Sequence, residues 1–96
     1  DYYTDKIYRG RTESYNLTLD AKERVLIVAF CDTDCDDVDL RLYDSRGREV
    51  DSDVETDDYP VVTVDTGAEA RYQVEVAVPG CYARRCTIGI GVFYQR

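Results

Sequence analysis

The chain has 96 residues, enough for one domain with a modest core, and its net charge of −8 comes from 20 acidic and 12 basic side chains. So acidic a chain lacks the excess of Lys and Arg that phosphate contacts need, and we predict no nucleic-acid partner. No apolar run approaches the roughly 20 residues of a transmembrane helix, so we also predict no membrane span.

The N-terminal segment, residues 1–12, is too apolar for a linker and too short to fold alone. It has two possible placements. It pairs as an edge strand with its own domain, or it adds to the edge of a neighbouring molecule, where backbone hydrogen bonds and side-chain pockets act together. The candidate assembly contacts in this segment are Tyr2, Tyr3, Ile7 and Tyr8.

Residues 13–96 are predicted to form a single all-β domain. Apolar and polar residues alternate over short stretches, as in half-buried strands, and no ten-residue stretch has a helical repeat. Tyr15, Tyr72 and Tyr94 fall on inward positions. The predicted strands are 13–19, 25–30, 38–43, 48–54, 61–65, 72–78 and 88–94. Short strands at this spacing indicate an antiparallel β-sandwich or jelly roll of about seven to nine strands.

The order of these strands predicts a molecule with two different ends. If each strand reverses the chain, the connections 32–37, 55–60 and 79–85 lie at one end, with both cysteine pairs and two acidic clusters. The connections 20–24, 45–48 and 66–70 lie at the other, and Gly47 supplies the positive φ of a tight turn in the second of them.

The loop that precedes the 38–43 strand carries crowded carboxylates, which repel one another unless a cation, basic neighbours or open solvent offsets the charge. Calcium takes six to eight oxygen ligands, mostly carboxylate and carbonyl. We therefore expect a calcium site here, and the alternative is a solvated loop neutralised by Arg84 and Arg85. The candidate ligands are Asp32, Asp34, Asp36, Asp37 and Asp39.

Four cysteines occur as two close pairs, Cys31 with Cys35 and Cys81 with Cys86. We expect disulfides, and the sequence leaves all three pairings open, because loops at one end of a sandwich also permit cross-pairing. A four-cysteine zinc site is the competing interpretation, but its usual Cys-x2-Cys spacing is absent.

The sequence gives little support for catalysis. The chain has no His, and its three serines have no evident activating partner, so only carboxylate pairs remain. Carboxylates are so numerous in this chain that such pairs arise without chemistry. We predict that the domain is not an enzyme.

Asn16-Leu17-Thr18 matches the acceptor pattern for N-glycosylation. The strand alternation places Asn16 on the outward face, where it is accessible. The alternative, an ordinary polar strand position, is the more common outcome for this pattern.

The segment 37–43, followed by Gly47 and the acidic triplet 51–53, resembles the core of the bacterial pre-peptidase C-terminal domain. The segments 72–76 and 88–94 resemble its last two strands, so the likeness spans roughly residues 11–96. The resemblance implies a small non-catalytic β-sandwich of exported proteins. Related collagen-binding modules bind calcium before the equivalent strand, which implies a role for Asp37 and Asp39.

Two functions compete. In the first, the chain is a secreted structural subunit that associates with copies of itself, as in an extracellular filament or surface layer. In the second, it is an accessory module of an exported enzyme that binds a matrix protein or polysaccharide, or assists secretion. The chain has no Met and opens at Asp1, so we expect a removed signal peptide and secretion. A cleaved tag or a fragment would give the same sequence.

Overall fold

The computed structural model describes residues 2–56, 58–68 and 70–95. It confirms an all-β sandwich of eight antiparallel strands in two sheets of four. Within those residues, no helix is long and apolar enough to cross a membrane. Asp1, the first residue of the expected N-terminal segment, lies outside them. The strands are β1 (Tyr2–Tyr8), β2 (Thr12–Thr18), β3 (Arg24–Cys31), β4 (Asp39–Asp44), β5 (Glu49–Asp53), β6 (Val61–Asp65), β7 (Arg71–Ala77) and β8 (Arg85–Gln95).

The two sheets run through the strands in matching order. The first sheet has the order β1-β8-β3-β6, and the second has the order β2-β7-β4-β5. The sandwich therefore has four columns: β1 with β2, β8 with β7, β3 with β4, and β6 with β5. Only the β4–β5 connection stays within one sheet, through a turn in which Gly47 has the expected positive φ of 80°.

The core lies between the sheets and consists mainly of Val, Ile and Leu from alternate strand positions. Tyr72 is buried, and Tyr15 and Tyr94 pack against the core as partly buried side chains, which confirms their inward prediction. The largest fully buried side chains are Ile7, Ile27, Leu40, Leu42, Ile88, Ile90, Val25, Val38, Val62, Val74, Val76 and Val78.

The N-terminal strand β1 pairs with β8 of its own chain, from Tyr2 opposite Gly91 to Tyr8 opposite Arg85. Of its seven residues only Ile7 is buried, and it is fully so. Backbone pairing and this buried side chain hold β1 at the edge of the first sheet, together with the side-chain contacts of Tyr2 and Asp5. Of the two placements considered for residues 1–12, the structure has the strand on its own domain.

Two carboxylates cover the opposite edge of the first sheet. Asp51 accepts a hydrogen bond from the backbone N–H of Thr63 at 2.8 Å, and Asp53 accepts one from that of Val61 at 3.0 Å. Both carboxylates come from β5 in the second sheet, whereas both N–H groups belong to the edge strand β6. These hydrogen bonds hold the two sheets together. They also occupy N–H groups of the edge strand that could otherwise pair with a strand of another molecule.

A hydrogen bond between the sheets also closes the β1–β2 side. The Tyr15 hydroxyl on β2 donates to the carboxylate of Asp5 on β1 at 2.7 Å. Burial, and secondly this hydrogen bond, raise the pKa of Tyr15 above its usual value. The bond requires the protonated phenol, so its contribution to stability depends on pH.

We expect Tyr15→Phe to lower the free energy of unfolding by about 0.5–1 kcal/mol at pH 7, because one partly exposed hydrogen bond is lost. Since the folded pKa is raised, the wild type has this contribution in full below about pH 10, the ordinary pKa of the phenol, and loses it as the pH rises further. Urea unfolding at pH 7 and pH 10.5 measures both effects. Tyr3→Phe, on the same edge, is the control, and an equal loss in both variants would contradict the assignment.

We expect Asp51→Ala to destabilise the fold by about 1 kcal/mol, because the Thr63 N–H loses its partner. Ser52→Ala is the matched control, since Ser52 lies next to Asp51 on the other face of β5. Urea unfolding of the two variants compares them. Equal stability of both variants would show that the carboxylate does not hold the two sheets together.

Candidate functional site: a charged pole and an apolar sheet face

Four connections meet at one end of the sandwich, which we call the pole: the described residues 9–11, 32–38, 54–56, 58–60 and 78–84, with Arg85 at the start of β8. The backbone N–H of Tyr82 donates to the carbonyl of Asp34 at 2.7 Å. The predicted meeting of the cysteine-bearing loops at one end is therefore confirmed. The connections after β2, β4 and β6 lie at the opposite end, also as predicted.

Both cysteine pairs close locally. Cys31 pairs with Cys35 and Cys81 with Cys86, with Cα–Cα distances of 5.8 and 6.0 Å. The disulfide prediction is confirmed, and of the pairings that the sequence left open the structure has the local one. The competing zinc site is not formed, because the structure leaves no free cysteine among the residues it describes.

The two disulfide-closed loops are docked against each other. A β-bridge joins Cys35 to Cys81, and the Asp36 N–H donates to the Gly80 carbonyl at 3.2 Å. A side chain at Gly80 would collide with Asp36 and Asp37, so the close approach requires glycine. The Tyr82 hydroxyl donates to the Asp36 carboxylate, and this hydrogen bond raises the pKa of Tyr82. The centre of the pole is therefore a preorganised surface.

The five aspartates predicted as calcium ligands differ in the contacts they make. Asp32 accepts hydrogen bonds from the backbone N–H groups of Asp34, at 3.1 Å, and Thr87, at 3.0 Å. Asp36 accepts from Tyr82. The carboxylates of Asp32 and Asp36 therefore brace the loops.

Asp39 lies at the start of β4, and one of its carboxylate oxygens is buried without a hydrogen-bond partner among the described residues. Burial, and secondly the charge of Asp37, raise the pKa of Asp39. Among the described residues no three acidic side chains form a group that could hold a metal ion. Calcium at Asp32, Asp34, Asp36, Asp37 and Asp39 stays a prediction.

Charge changes sign across the pole. In the columns of β1 and β8, the exposed pole residues include Arg9, Arg11, Arg84 and Arg85. In the columns of β3 and β6, they include Asp34, Asp36, Glu55 and Asp58. Arg9, Arg11 and Arg84 line one shallow depression with Tyr8 and Glu13. One half of the pole is therefore basic and the other half acidic.

The arginines of the pole do not neutralise the neighbouring acidic loop by direct contact. Within the described residues, the ion pairs join Arg24 to Asp65, Arg41 to Glu49 and Arg48 to Asp44, and all three lie away from the pole loops. Arg84 and Arg85 are exposed and form no ion pair with the described carboxylates. Both halves of the pole therefore present their charge to solvent.

The outer surface of the first sheet, which we call the outer face, is apolar across all four strands. Strand pairing sets its outward side chains in rows. At one end of β3 lies the charged residue Arg24, and just beyond the other end lies Asp32. The rows between them contain no charged side chain, and they consist of Phe93, Leu26 and Thr63, then Tyr2, Gly91, Val28 and Val61, then Thr4, Gly89 and Phe30.

Aromatic rings lie flat on this face. A side chain at Gly89 would collide with the Phe30 ring, and one at Gly91 would press on the Phe93 ring, so both rings rest on glycine backbone. Phe30 also stacks with Tyr2, at 5.5 Å between ring centroids, and with Tyr59, at 6.3 Å. Yet Tyr2, Tyr59 and Phe93 remain 59%, 53% and 54% exposed. The rings form a continuous patch that water still reaches.

The outer surface of the second sheet is polar. Its rows consist of Thr12, Ala77 and Asp39, then Ser14, Glu75, Arg41 and Ser52, then Asn16, Gln73, Tyr43 and Glu49. A solvated outer surface of an antiparallel sandwich is expected to have this composition. The outer face of the first sheet is thus the unusual one, and exposed patches of this kind mark interaction sites.

The predicted assembly contacts fall at different places. Tyr2 lies on the outer face, Tyr8 borders the arginine depression, and Ile7 is a core residue. Tyr3 lines the cleft between β1 and β2. Asn16 is exposed, as expected, and its glycosylation stays a prediction.

Sequence reasoning missed the outer face. The stretch 25–30 is a continuous apolar run, a pattern that favours a strand buried on both faces or central in its sheet, and β3 is indeed central. Its even-numbered residues face outward, however, and they are covered by side chains of their own sheet and by Tyr59 rather than by a second sheet. The sequence signal for this face was the run of Gly89, Gly91 and Phe93, which occupies the outward positions of β8 and contains no charged residue.

No protein-family model and no curated protein matches this chain. The resemblance to the pre-peptidase C-terminal domain therefore stays a prediction, and functional inference rests on the pole and the outer face. The two disulfides are compatible with an extracellular protein.

We expect that replacing both Cys81 and Cys86 with Ala costs about 2 kcal/mol of unfolding free energy, the loop-closure value for so short a loop. The larger effect is local, because the loop of residues 78–84 loses its anchor at the pole. Hydrogen exchange at Tyr82 measures this effect. Urea unfolding measures the global one.

The matched control replaces Cys31 and Cys35, which close a loop of similar size. This control should also accelerate exchange at Tyr82, since the two loops dock on each other. Unchanged exchange at Tyr82 in both variants would contradict a disulfide-locked pole.

Proposed function

We propose that this domain is a non-catalytic extracellular structural subunit that associates with copies of itself through the outer face. The observation that supports the proposal is the charge-free apolar surface spanning all four strands of the first sheet, in a chain with a net charge of −8. A charged chain can leave an isolated apolar side chain in water at little cost, but a contiguous aromatic sheet face calls for a partner.

The charges at the ends of β3 favour a second copy as that partner. Arg24 lies at one end of the strand with its ion-pair partner Asp65 on β6. Asp32 follows the other end, in the same row as Lys6 on β1. A twofold axis in the plane of the face, crossing the strands at Val28, sets Arg24 of each copy opposite Asp32 of the other. The apolar rows then oppose each other, as two sheets do in a sandwich.

The size of the face sets the expected strength of this contact. Four strands about 4.8 Å apart and three rows about 7 Å apart cover roughly 300–400 Å² per copy. A stable interface of standard size buries about 800 Å² per partner, so the face alone gives a weak dimer. We expect a dissociation constant of roughly 0.1–1 mM.

We expect Phe93→Ser to weaken this dimer at least about tenfold, because Phe93 is an exposed aromatic residue of the face. Val50→Ser is the matched control, since Val50 is an exposed apolar residue on β5, outside the face. Sedimentation equilibrium up to about 1 mM protein in 0.5 M NaCl measures both constants, with screened charges.

The alternative function is an accessory module that binds matrix protein or polysaccharide, and the flat rings of Phe30 and Phe93 also suit a sugar ring. A wild type that stays monomeric at 1 mM would contradict the proposal. Binding of that monomer to an insoluble polysaccharide, abolished by Phe93→Ser, would then favour the accessory module.

A further inference from the structure

We propose that the pole is a second self-association surface, on which the basic half of one copy binds the acidic half of another. This inference extends the proposed function, because together with the outer face it gives each subunit two separate contacts. It rests on the order of charges along the pole and not on the apolar rows.

The order of charges makes the pole self-complementary. From the β1–β2 column to the β6–β5 column, the loops carry Arg9 and Arg11, then Arg84 and Arg85, then Asp34 and Asp36, then Glu55 and Asp58. The first column is basic and the fourth is acidic, and the second column is basic and the third is acidic. A twofold axis between the second and third columns brings every basic column of one copy against an acidic column of the other.

The charges of the pole are available for such a contact. All eight side chains are exposed, and within the described residues none forms an ion pair. Four arginines in a chain with eight more acidic than basic side chains would be expected to pair with nearby carboxylates of the same molecule. These arginines lie beside the acidic loop but form no ion pair with its described carboxylates. A complementary surface on another molecule can pair with both the arginines and the carboxylates.

The loops at the centre of the pole are preorganised, which reduces the entropy lost on binding. Disulfides close both central loops, and the bridge between Cys35 and Cys81 fixes their relative position. Arg84 and Asp34 are therefore presented at fixed places on either side of the axis. In a flexible loop, the charged side chains could move to form ion pairs within the same molecule.

Two self-complementary surfaces on one subunit generate an open chain of molecules. Contact through the outer face alone stops at a dimer, and contact through the pole alone stops at a different dimer. Copies that use both surfaces alternate between them without closing, because the twofold axis that crosses β3 at Val28 does not meet the twofold axis at the pole. Each added subunit makes one contact, so the length of this filament grows as the protein concentration rises above the two dissociation constants.

A charge swap tests the pole. Arg84→Glu with Arg85→Glu makes both central columns of the pole acidic, and Asp34→Lys with Asp36→Lys makes both of them basic. Circular dichroism first confirms that both variants fold. Asp34→Lys alone replaces the second variant if loss of the Tyr82 contact to Asp36 disturbs the fold.

Sedimentation velocity in 20 mM and 500 mM NaCl then compares each variant, their equimolar mixture and the wild type. We expect wild-type species larger than dimers at low salt and no species beyond the dimer at high salt, because screening at 500 mM leaves a Debye length of roughly 4 Å. Each charge variant alone should lose the larger species, with the pole contact weakened at least about tenfold. The mixture should regain them, because each altered surface then meets its complement.

The outcomes separate this inference from the proposed function. Large low-salt species that persist in the Arg84→Glu, Arg85→Glu variant and vanish in Phe93→Ser would overturn the pole and leave the outer face standing. Low-salt dimers in Phe93→Ser that disappear at high salt would support the pole independently. A mixture that fails to restore association would overturn copy-to-copy binding, and retention of the wild type on immobilised heparin would then point to a polyanion.

Discussion

The pairing of β3 with β8, along eight residue pairs from Arg24 opposite Gln95 to Cys31 opposite Ile88, is the interaction on which the other features depend. Its inward side chains supply the middle of the core, and its outward ones supply most of the outer face. Where this ladder ends, β3 continues into the acidic loop and β8 begins beside the arginines. A register shift of one residue would exchange inward and outward side chains and move the loops apart.

The fold was predictable because two simple signals agree. Alternating apolar residues gave strands close to those observed, and 61–65 matches β6 residue for residue. Strand reversal then put the cysteine-bearing loops at one end. The hydrogen bond from the Thr63 N–H to Asp51 could not be predicted, because in the sequence a carboxylate that faces the neighbouring sheet cannot be distinguished from any other acidic strand residue. The pairing of Cys31 with Cys35 could not be predicted either, because cysteines in two adjacent loops can pair within each loop or between the loops.

The functional surfaces were harder to predict than the fold. Composition predicted an acidic molecule, but the division of the pole into basic and acidic halves depends on the order of strands in the sheets. The outer face was hidden in the stretch 25–30, because an apolar run does not reveal whether both of its sides are covered. The close spacing of carboxylates in residues 32–39 favours a cation site. It does not reveal that Asp32 and Asp36 make hydrogen bonds that brace the loops.

Self-association through the outer face is the central claim, and intermolecular contacts measured by isotope-filtered NMR test it most directly. A mixture of labelled and unlabelled chain in 0.5 M NaCl, at a concentration where dimers form, isolates signals between copies. The twofold arrangement predicts contacts from the Leu26 methyl groups of one copy to the Phe30 ring of the other. Contacts confined to the polar rows of the second sheet or to the loops would contradict the account.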